Sequence, residues 1–345
     1  MAEYSPMMQH YLATKKQYND CILFYRLGDF YEMFFDDAIT VSKELELTLT
    51  GKDCGQEERA PMCGVPFHAA ETYINRLVSN GHKVAICEQM EDPKLAKGIV
   101  KREVIKVVTP GTNLNAQALD ETKNNYLFCI YYQGDVIGVS ICDFSTGDYF
   151  VTELKSENEL IDEINKFVPS EIIVNEYFAM SGIDLTAVNE KLNISMSTLE
   201  NWYFDEDSSI KKLLSHFKIS ALDGLGVKDY PTGIIAAGAL LTYLYETQKS
   251  DMSHIITLTP YTTGKYMLIN SSSRRNLELV ETLREKQKRG SLIWVLDKTK
   301  TAMGARALRS MIEQPLINKD EIINRQNVVE ELCNNQIDRE ELREY

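Results

Sequence analysis

The sequence lacks the features of membrane, secreted and metal-binding proteins. Its longest apolar run, Ile234 to Leu244, is too short to cross a bilayer, and its many Ala and Gly residues predict a closely packed helix. The N-terminus has no basic flank followed by an apolar stretch, so no secretory signal is indicated. The 7 cysteines form no Cys-x-x-Cys pair, which is typical of reduced thiols in a cytoplasmic protein.

Catalytic signatures are missing as well. The 5 histidines are dispersed, and none stands at metal-ligand spacing from another. No Gly-x-Ser-x-Gly nucleophile motif occurs. The nearest approach to a nucleotide-binding loop is Gly264-Lys265, which has Thr259 where the first glycine should stand and Tyr266 after the lysine. We therefore expect no catalytic residue, no metal, no cofactor and no ATPase activity in this chain.

Positive charge is scarce: the formal net charge of −14 argues against nucleic-acid binding, because phosphates repel an acidic chain. The excess of acidic residues is uneven along the chain, since residues 1–110 carry 13 Lys and Arg against 16 Asp and Glu. One run there is basic: Lys94, Lys97, Lys101, Arg102 and Lys106. It is either a solvated surface or a set of phosphate contacts, and Lys52 and Arg59 are alternative contacts.

The most informative segment, residues 28–37, places a large aromatic residue beside a carboxylate. In an extended strand Phe30 and Glu32 point to one face, and Tyr31 and Met33 to the other. A carboxylate is seldom buried without a partner, so we expect the face with Phe30 to be partly open. An exposed ring beside a hydrogen-bonding group can stack on a nucleobase. The alternative is that Phe30 is a core residue and Glu32 its solvated neighbour.

Seven sequence blocks favour the first interpretation, because together they resemble the MutS family of bacterial DNA mismatch repair proteins. One block contains the Phe-x-Glu motif that reads mismatches in that family, and all seven blocks stand in the family's order. The blocks span nearly the whole chain: Phe24 to Glu32, Pro6 to Gln9, Pro61 to Ala69, Val84 to Gln89, Val108 to Thr112, Arg274 to Glu278 and Met303 to Arg306.

The resemblance implies that Phe30 inserts into double-stranded DNA at a mismatch or small insertion loop while Glu32 bonds the displaced base. Contacts to the DNA backbone are assigned to four basic residues: Lys52, Arg59, Lys94 and Lys97. The family further implies a partner, MutL, a self-dimer of the full-length protein, and a DNA-dependent ATPase with ATP and Mg²⁺ beyond this chain. The chain alone should be a monomer, and the protein should be cytoplasmic and associated with the nucleoid.

The same resemblance and the strand and helix patterns predict a multidomain fold. Residues 1–112 form a mixed α/β mismatch-recognition domain, and residues 113–125 form a linker. Residues 126–250 open with three β-rich runs and form an RNase-H-like α/β connector domain. Residues 251–345 form the truncated start of an all-α core and lever domain, which ends inside a charged helix.

Two local predictions concern helix boundaries. The pair Asp36 and Asp37 is expected to cap a helix that follows the Phe30 strand. Apolar residues at helical spacing predict a helix over residues 276–283, and further helices over residues 292–297, 303–312 and 322–332, the last behind an Asn318 cap.

A metal-dependent nuclease is the rival function, because nucleases of RNase-H-like fold hold metal ions with clustered carboxylates. Asp143 ends one predicted strand and Asp148 begins the next. Both residues are equally typical of the turn between two strands, where Asp accepts local hydrogen bonds, and we favour that interpretation.

Overall fold

The structure is a computed structural model that describes residues 4–91, 100–113, 123–262, 264, 266–267, 269 and 271–344. It contains two six-stranded sheets, one after the other along the chain, followed by a series of helices. The chain therefore forms several units, each with mixed or helical composition, as the sequence predicts.

The first sheet is mixed, and it is covered on both faces. Its strands are β1 (Cys21–Leu27), β2 (Phe30–Phe34), β3 (Thr50–Lys52), β4 (Ala60–Pro66), β5 (Lys83–Gln89) and β6 (Arg102–Val108), in the spatial order β3-β4-β2-β1-β5-β6. Only the β1 and β5 pair is parallel among these strands. One face packs against α1 (Pro6–Gln17), and the other packs against α2 (Phe35–Glu44) and α3 (Ala70–Ser79).

Strands β1 and β2 form a hairpin. Its two-residue turn contains Gly28 with a φ of +59°, a left-handed conformation that costs glycine little because it has no Cβ. Leu27 pairs with Phe30 across the turn. The hairpin thus places Phe30 at the very end of a strand that is hydrogen-bonded on both sides.

The prediction that Asp36 and Asp37 cap the next helix is wrong. The N-cap of α2 is Phe34, and no side chain caps its amides. Asp37 is buried inside the first turn, where its carboxylate accepts the Leu23 N–H at 3.0 Å and pairs with the Lys15 ammonium at 2.9 Å. It therefore ties α1, β1 and α2 together instead of ending a helix.

The three β-rich runs predicted at the start of the second unit are strands, and they form an antiparallel meander. The strands of the second sheet are β7 (Tyr126–Tyr132), β8 (Ile137–Asp143), β9 (Asp148–Leu154), β10 (Glu171–Asn175), β11 (Ser195–Leu199) and β12 (Thr259–Pro260), in the order β11-β10-β7-β8-β9-β12. Around it lie α4 (Glu157–Phe167), α5 (Glu176–Met180), α6 (Thr186–Leu192), α7 (Glu206–Phe217) and α8 (Pro231–Gln248). Ser156 caps α4, because its side chain accepts the Glu159 N–H.

This second unit continues past residue 250, where the sequence analysis ends it. Met252, Ile255 and Leu258 are buried in its core, and β12 pairs with β9. The predicted boundary is too early because a segment without strong periodicity still contributes apolar side chains to the sheet.

Helix α8 packs closely against α7 at Gly238. A Cβ on Gly238 would lie 2.2 Å from the Ser209 Cβ and 2.4 Å from its Cα. We expect Gly238→Ala to lower the free energy of unfolding by about 1–3 kcal/mol, because the two helices must separate to admit the methyl group. Urea denaturation measures this. Gly224→Ala is the matched control, because nothing lies within 4 Å of its added Cβ. Equal stability of the two variants would contradict close packing at Gly238.

The first two units meet in a polar junction centred on Glu171. Its fully buried carboxylate accepts hydrogen bonds from the Thr109 hydroxyl at 2.5 Å, the Gly111 N–H at 3.1 Å and the Tyr243 hydroxyl at 2.7 Å. Burial raises the pKa of Tyr243 well above its usual value, so the phenol keeps the proton that it donates. The carboxylate thus joins β10, α8 and the segment after β6.

The C-terminal end of α8 adds further contacts to the same junction. The Gln248 amide donates to the Val107 carbonyl at 3.2 Å, and the Lys249 ammonium donates to the Val104 carbonyl at 2.9 Å and to the Tyr18 hydroxyl at 2.7 Å. Nearby, Trp202 stacks on Tyr203 with 3.9 Å between ring centroids. The last turn of α8 therefore rests directly on the first unit.

The remaining described residues are mostly helical. The helices are α9 (Ser271–Asn276), α10 (Leu292–Leu296), α11 (Ala302–Glu313), α12 (Lys319–Asn334) and α13 (Gln336–Glu344). The Asn318 cap of α12 is confirmed, since its side chain accepts the Asp320 and Glu321 N–H groups.

The predicted helix over residues 276–283 is wrong. Helix α9 stops at Asn276, and Glu278 has a φ of +47°, which no α-helix accommodates. The Glu278 carboxylate instead accepts the Leu283 N–H at 2.7 Å. A local turn therefore replaces the helix although the apolar spacing is helical.

Candidate nucleic-acid interface

Strand β2 separates its side chains as the sequence predicts. Tyr31 and Met33 are buried in the core beneath α2 and α3. Phe30 is 47% exposed, and the Glu32 side chain is 15% exposed. The interpretation of Phe30 as a core residue is therefore wrong, and the ring and the carboxylate lie on the same, partly open face.

The Glu32 carboxylate has one polar partner among the described residues, the ammonium of Lys52, with which it forms an ion pair. Lys52 reaches it from β3, the edge strand of the sheet, and its ammonium also lies 5.7 Å from the centre of the Phe34 ring. The Lys52 side chain is 31% exposed. The sequence predicts separate roles for Glu32 and Lys52, and the structure brings the two side chains into contact.

Strand β4 leaves space beside this pair. Gly64 is the cross-strand partner of Glu32, and Pro66 is the partner of Phe30. A Cβ on Gly64 would lie 3.2 Å from the Tyr31 carbonyl oxygen and 3.4 Å from the Glu32 Cγ. Glycine thus keeps the surface next to the carboxylate low, so that a flat ligand can approach it.

The opposite face of the hairpin is fixed by a polar cluster that the sequence analysis did not single out. The Tyr31 hydroxyl donates to the Glu88 carboxylate at 2.6 Å, and Arg26 pairs with the same carboxylate at 3.5 Å. Burial, followed by the bond to Glu88, raises the pKa of Tyr31 to about 12. Arg26 also stacks on the Phe67 ring at 3.9 Å. All four residues lie inside the seven sequence blocks described above. Their position in those blocks is the sequence signal that could have identified them.

The other residues predicted to contact the DNA backbone form no comparable site. Arg59 is exposed immediately before β4, whereas Lys94 and Lys97 lie outside the described residues. Within the rest of the basic run, Arg102 is buried and donates to the Arg26 carbonyl at 2.8 Å. Lys101 pairs with Glu103 at 2.7 Å. The described part of this run is therefore not a continuous free basic surface.

The candidate nuclease carboxylate Asp143 is occupied by its own turn. It is fully buried and accepts the Asn125 N–H at 3.1 Å, the Asn124 amide at 2.7 Å, and the Ser145 N–H and hydroxyl at 2.8 and 2.6 Å. Asp148 accepts the Thr146 hydroxyl at 2.7 Å. The bonds with Ser145 and Thr146 are the turn contacts that we favoured, whereas Asn124 and Asn125 reach Asp143 from the segment before β7.

Two features are absent from the part of the chain that the structure describes. The described residues contain no group of three or more His, Cys, Asp or Glu side chains that could hold a metal ion. The helices described there include none with the length and apolar character of a membrane span.

Comparison with known proteins gives consistent matches along the chain. Family models match in order: MutS domain I over residues 5–117, MutS domain II over residues 125–256 and MutS domain III over residues 272–345.

Three relatives carry the name DNA mismatch repair protein MutS, and each aligns with 100% of this chain. The protein of Lachnoclostridium phytofermentans is 64% identical over 345 residues, which are 37% of its length. Those of Ruminiclostridium cellulolyticum and Acetivibrio thermocellus are 54% and 52% identical over 39% and 40% of their lengths. The chain thus spans about two fifths of these relatives.

These matches cover most of the chain in the family's domain order. The chain belongs to the MutS family.

Proposed function

We propose that this chain binds mismatched DNA by inserting Phe30 at a mispair or small loop and hydrogen-bonding the displaced base with Glu32. The observation that carries the proposal is the exposed Phe30 ring at the end of a central strand, two residues from a carboxylate on the same face. The Gly28 turn and the pairing of β2 with both neighbouring strands fix the backbone that carries the ring. A rigidly mounted wedge loses little entropy on insertion.

Recognition would then rest on how easily the duplex deforms. A mispaired step is easier to unstack and kink than a paired one, so a wedge that must unstack a step discriminates through deformation energy. The Glu32 carboxylate accepts a hydrogen bond from a thymine N3–H, or donates one to a purine N7 when it is protonated. Contacts from Lys52, Arg59, Lys94 and Lys97 to phosphates would hold the duplex in register without reading its sequence.

We expect Glu32→Gln to raise the affinity for perfectly paired DNA and to narrow the mismatch preference. A carboxylate near phosphates is repelled by normal duplex and is compensated only where a kinked base offers a donor. Fluorescence anisotropy with matched and G·T duplexes measures both affinities. Weaker binding of the Gln variant to perfect duplex would contradict this role.

For the later units we propose the arrangement that the family resemblance implies. Residues 126–261 would form a connector of RNase-H-like fold, supported by the antiparallel meander β9-β8-β7 continued by parallel β10 and β11. Residues from 271 onward would start a helical core and lever. MutL, a second copy of the full-length protein and ATP with Mg²⁺ are partners proposed for the full-length protein, which would work at the nucleoid.

A band-shift experiment tests the binding function. The full-length protein, meaning this chain with the C-terminal remainder that its relatives carry, is mixed with G·T, single-base-loop and perfect duplexes, with and without EDTA. We expect tighter binding to the first two duplexes in both conditions. Equal binding to all three contradicts the sensor, and cleavage that EDTA abolishes supports the nuclease instead.

A further inference from the structure

We propose that Lys52 exchanges partners when the protein recognises a mismatch. On perfect duplex its ammonium stays on the Glu32 carboxylate. At a mispair the displaced base takes the carboxylate, and Lys52 moves to a backbone phosphate. The inference rests on the proposed function of Phe30 and Glu32, and it makes Lys52 a specificity-determining residue instead of a constant backbone contact.

The contact between the two side chains is the first argument. They form an ion pair in which the carboxylate is 15% exposed and the lysine 31% exposed. Because Lys52 is the polar partner that the described residues give Glu32, a base that bonds this carboxylate must share it with the ammonium or replace it. The pair is exposed enough for a ligand to reach and buried enough to be held in one geometry.

The position of Lys52 is the second argument. It lies on β3, the three-residue strand at the edge of the sheet, so its long stem can turn away from the sheet without breaking strand pairing. Glu32, in contrast, sits on the central strand β2 between β1 and β4. The carboxylate is therefore fixed and the ammonium is the group that can move.

The space around the pair is the third argument. Gly64 lies beside Glu32 and has no side chain, so the carboxylate remains accessible from the side on which Phe30 projects. A base that stacks on Phe30 would approach Glu32 through this gap. Lys52 approaches from the other direction, past the Phe34 ring.

Salt dependence of binding distinguishes an exchanged lysine from a constant contact. Each phosphate that a cation neutralises contributes about −0.9 to the slope of log affinity against log salt concentration. In the full-length protein we expect the slope on a G·T duplex to be steeper by about 0.9 than on its perfect counterpart. That difference changes the mismatch preference by about 3.5-fold between roughly 50 and 200 mM salt.

Variants of the pair should change these slopes in opposite ways. Lys52→Met keeps the stem and should reduce the slope on G·T DNA by about 0.9 without changing the slope on perfect duplex. Glu32→Gln frees the lysine on both duplexes, so the slope on perfect duplex should rise to that on G·T DNA. Lys52→Arg keeps the charge, so it should show the same two slopes as the wild type. Arg59→Gln is the matched control, because it should leave the difference between the two slopes intact.

The outcomes separate the exchange from the binding function. If Lys52→Met lowers both slopes equally, or if it lowers neither, the exchange is wrong although mismatch preference persists. If the wild-type protein shows no mismatch preference at any salt concentration, the proposed function fails and the exchange fails with it. Thermal denaturation of each variant shows whether the fold is kept.

Discussion

Phe30→Ala in the full-length protein should remove most of the preference for mismatched DNA and leave the fold intact. Stacking of a base on an aromatic ring contributes on the order of 1–3 kcal/mol, which corresponds to a loss of roughly 5- to 150-fold in affinity for a mismatch. The affinity for perfect duplex should change little, because an unkinked duplex offers no unstacked base. The ring is 47% exposed, so its removal leaves little cavity and stability should be nearly unchanged.

Phe67→Ala is the matched control for this result. The Phe67 ring is 45% exposed, but it lies against Arg26 on the side of the hairpin where Tyr31 is buried. We expect this variant to keep its mismatch preference. Tyr31→Ala should instead lower the stability of the first unit, because the Tyr31 ring is buried. Unchanged mismatch discrimination in a folded Phe30→Ala variant would contradict the role of Phe30 as the wedge.

Glu171→Ala should destabilise the protein by about 3–5 kcal/mol, because three donors would lose their acceptor and each buried unpaired donor costs roughly 1–3 kcal/mol. The donors are the Thr109 hydroxyl, the Gly111 N–H and the Tyr243 hydroxyl. Glu171→Gln should cost less, since its amide can still accept from one side and donate to the Tyr243 oxygen. Urea denaturation of the chain measures the free energy of unfolding.

Glu190→Ala provides the comparison for Glu171, because Glu190 is an exposed glutamate of the second unit. We expect its stability to stay within about 0.5 kcal/mol of the wild type. The role of Glu171 as the common acceptor of the junction would be excluded by equal stability of the two alanine variants. Cooperative unfolding of both units in the wild type, and separate transitions in Glu171→Ala, would further support that role.

Local structure was predictable where one signal dominates. The Gly28 turn between two β-rich runs determines the hairpin, and alternation along β2 determines which residues face outward. The helix over residues 276–283 was mispredicted because the periodicity of apolar residues does not show that Glu278 takes a left-handed conformation and bonds Leu283. Asp37 was mispredicted because a carboxylate at a helix start is usually a cap, and only the fold brings Leu23 and Lys15 to it.

Contacts between distant parts of the chain were not predictable. Lys52 and Glu32 are 20 positions apart and sit on strands separated by β4, so their pairing depends on the order of strands in the sheet. Glu171 has the same character, because its donors come from residues 60 or more positions before and after it. A single sequence supplies the residue types at such sites and leaves their partners open.

The stacking of Trp202 on Tyr203 has a spectroscopic consequence. The chain has 2 tryptophans, Trp202 and Trp294, so the unit that carries Phe30 contributes no indole emission. The Tyr203 hydroxyl bonds to Glu246, which lies in the last turn of α8 beside the residues that touch the first unit. We therefore expect the emission of Trp202 to change when the first unit separates from the second, which would make it an intrinsic optical probe of the junction.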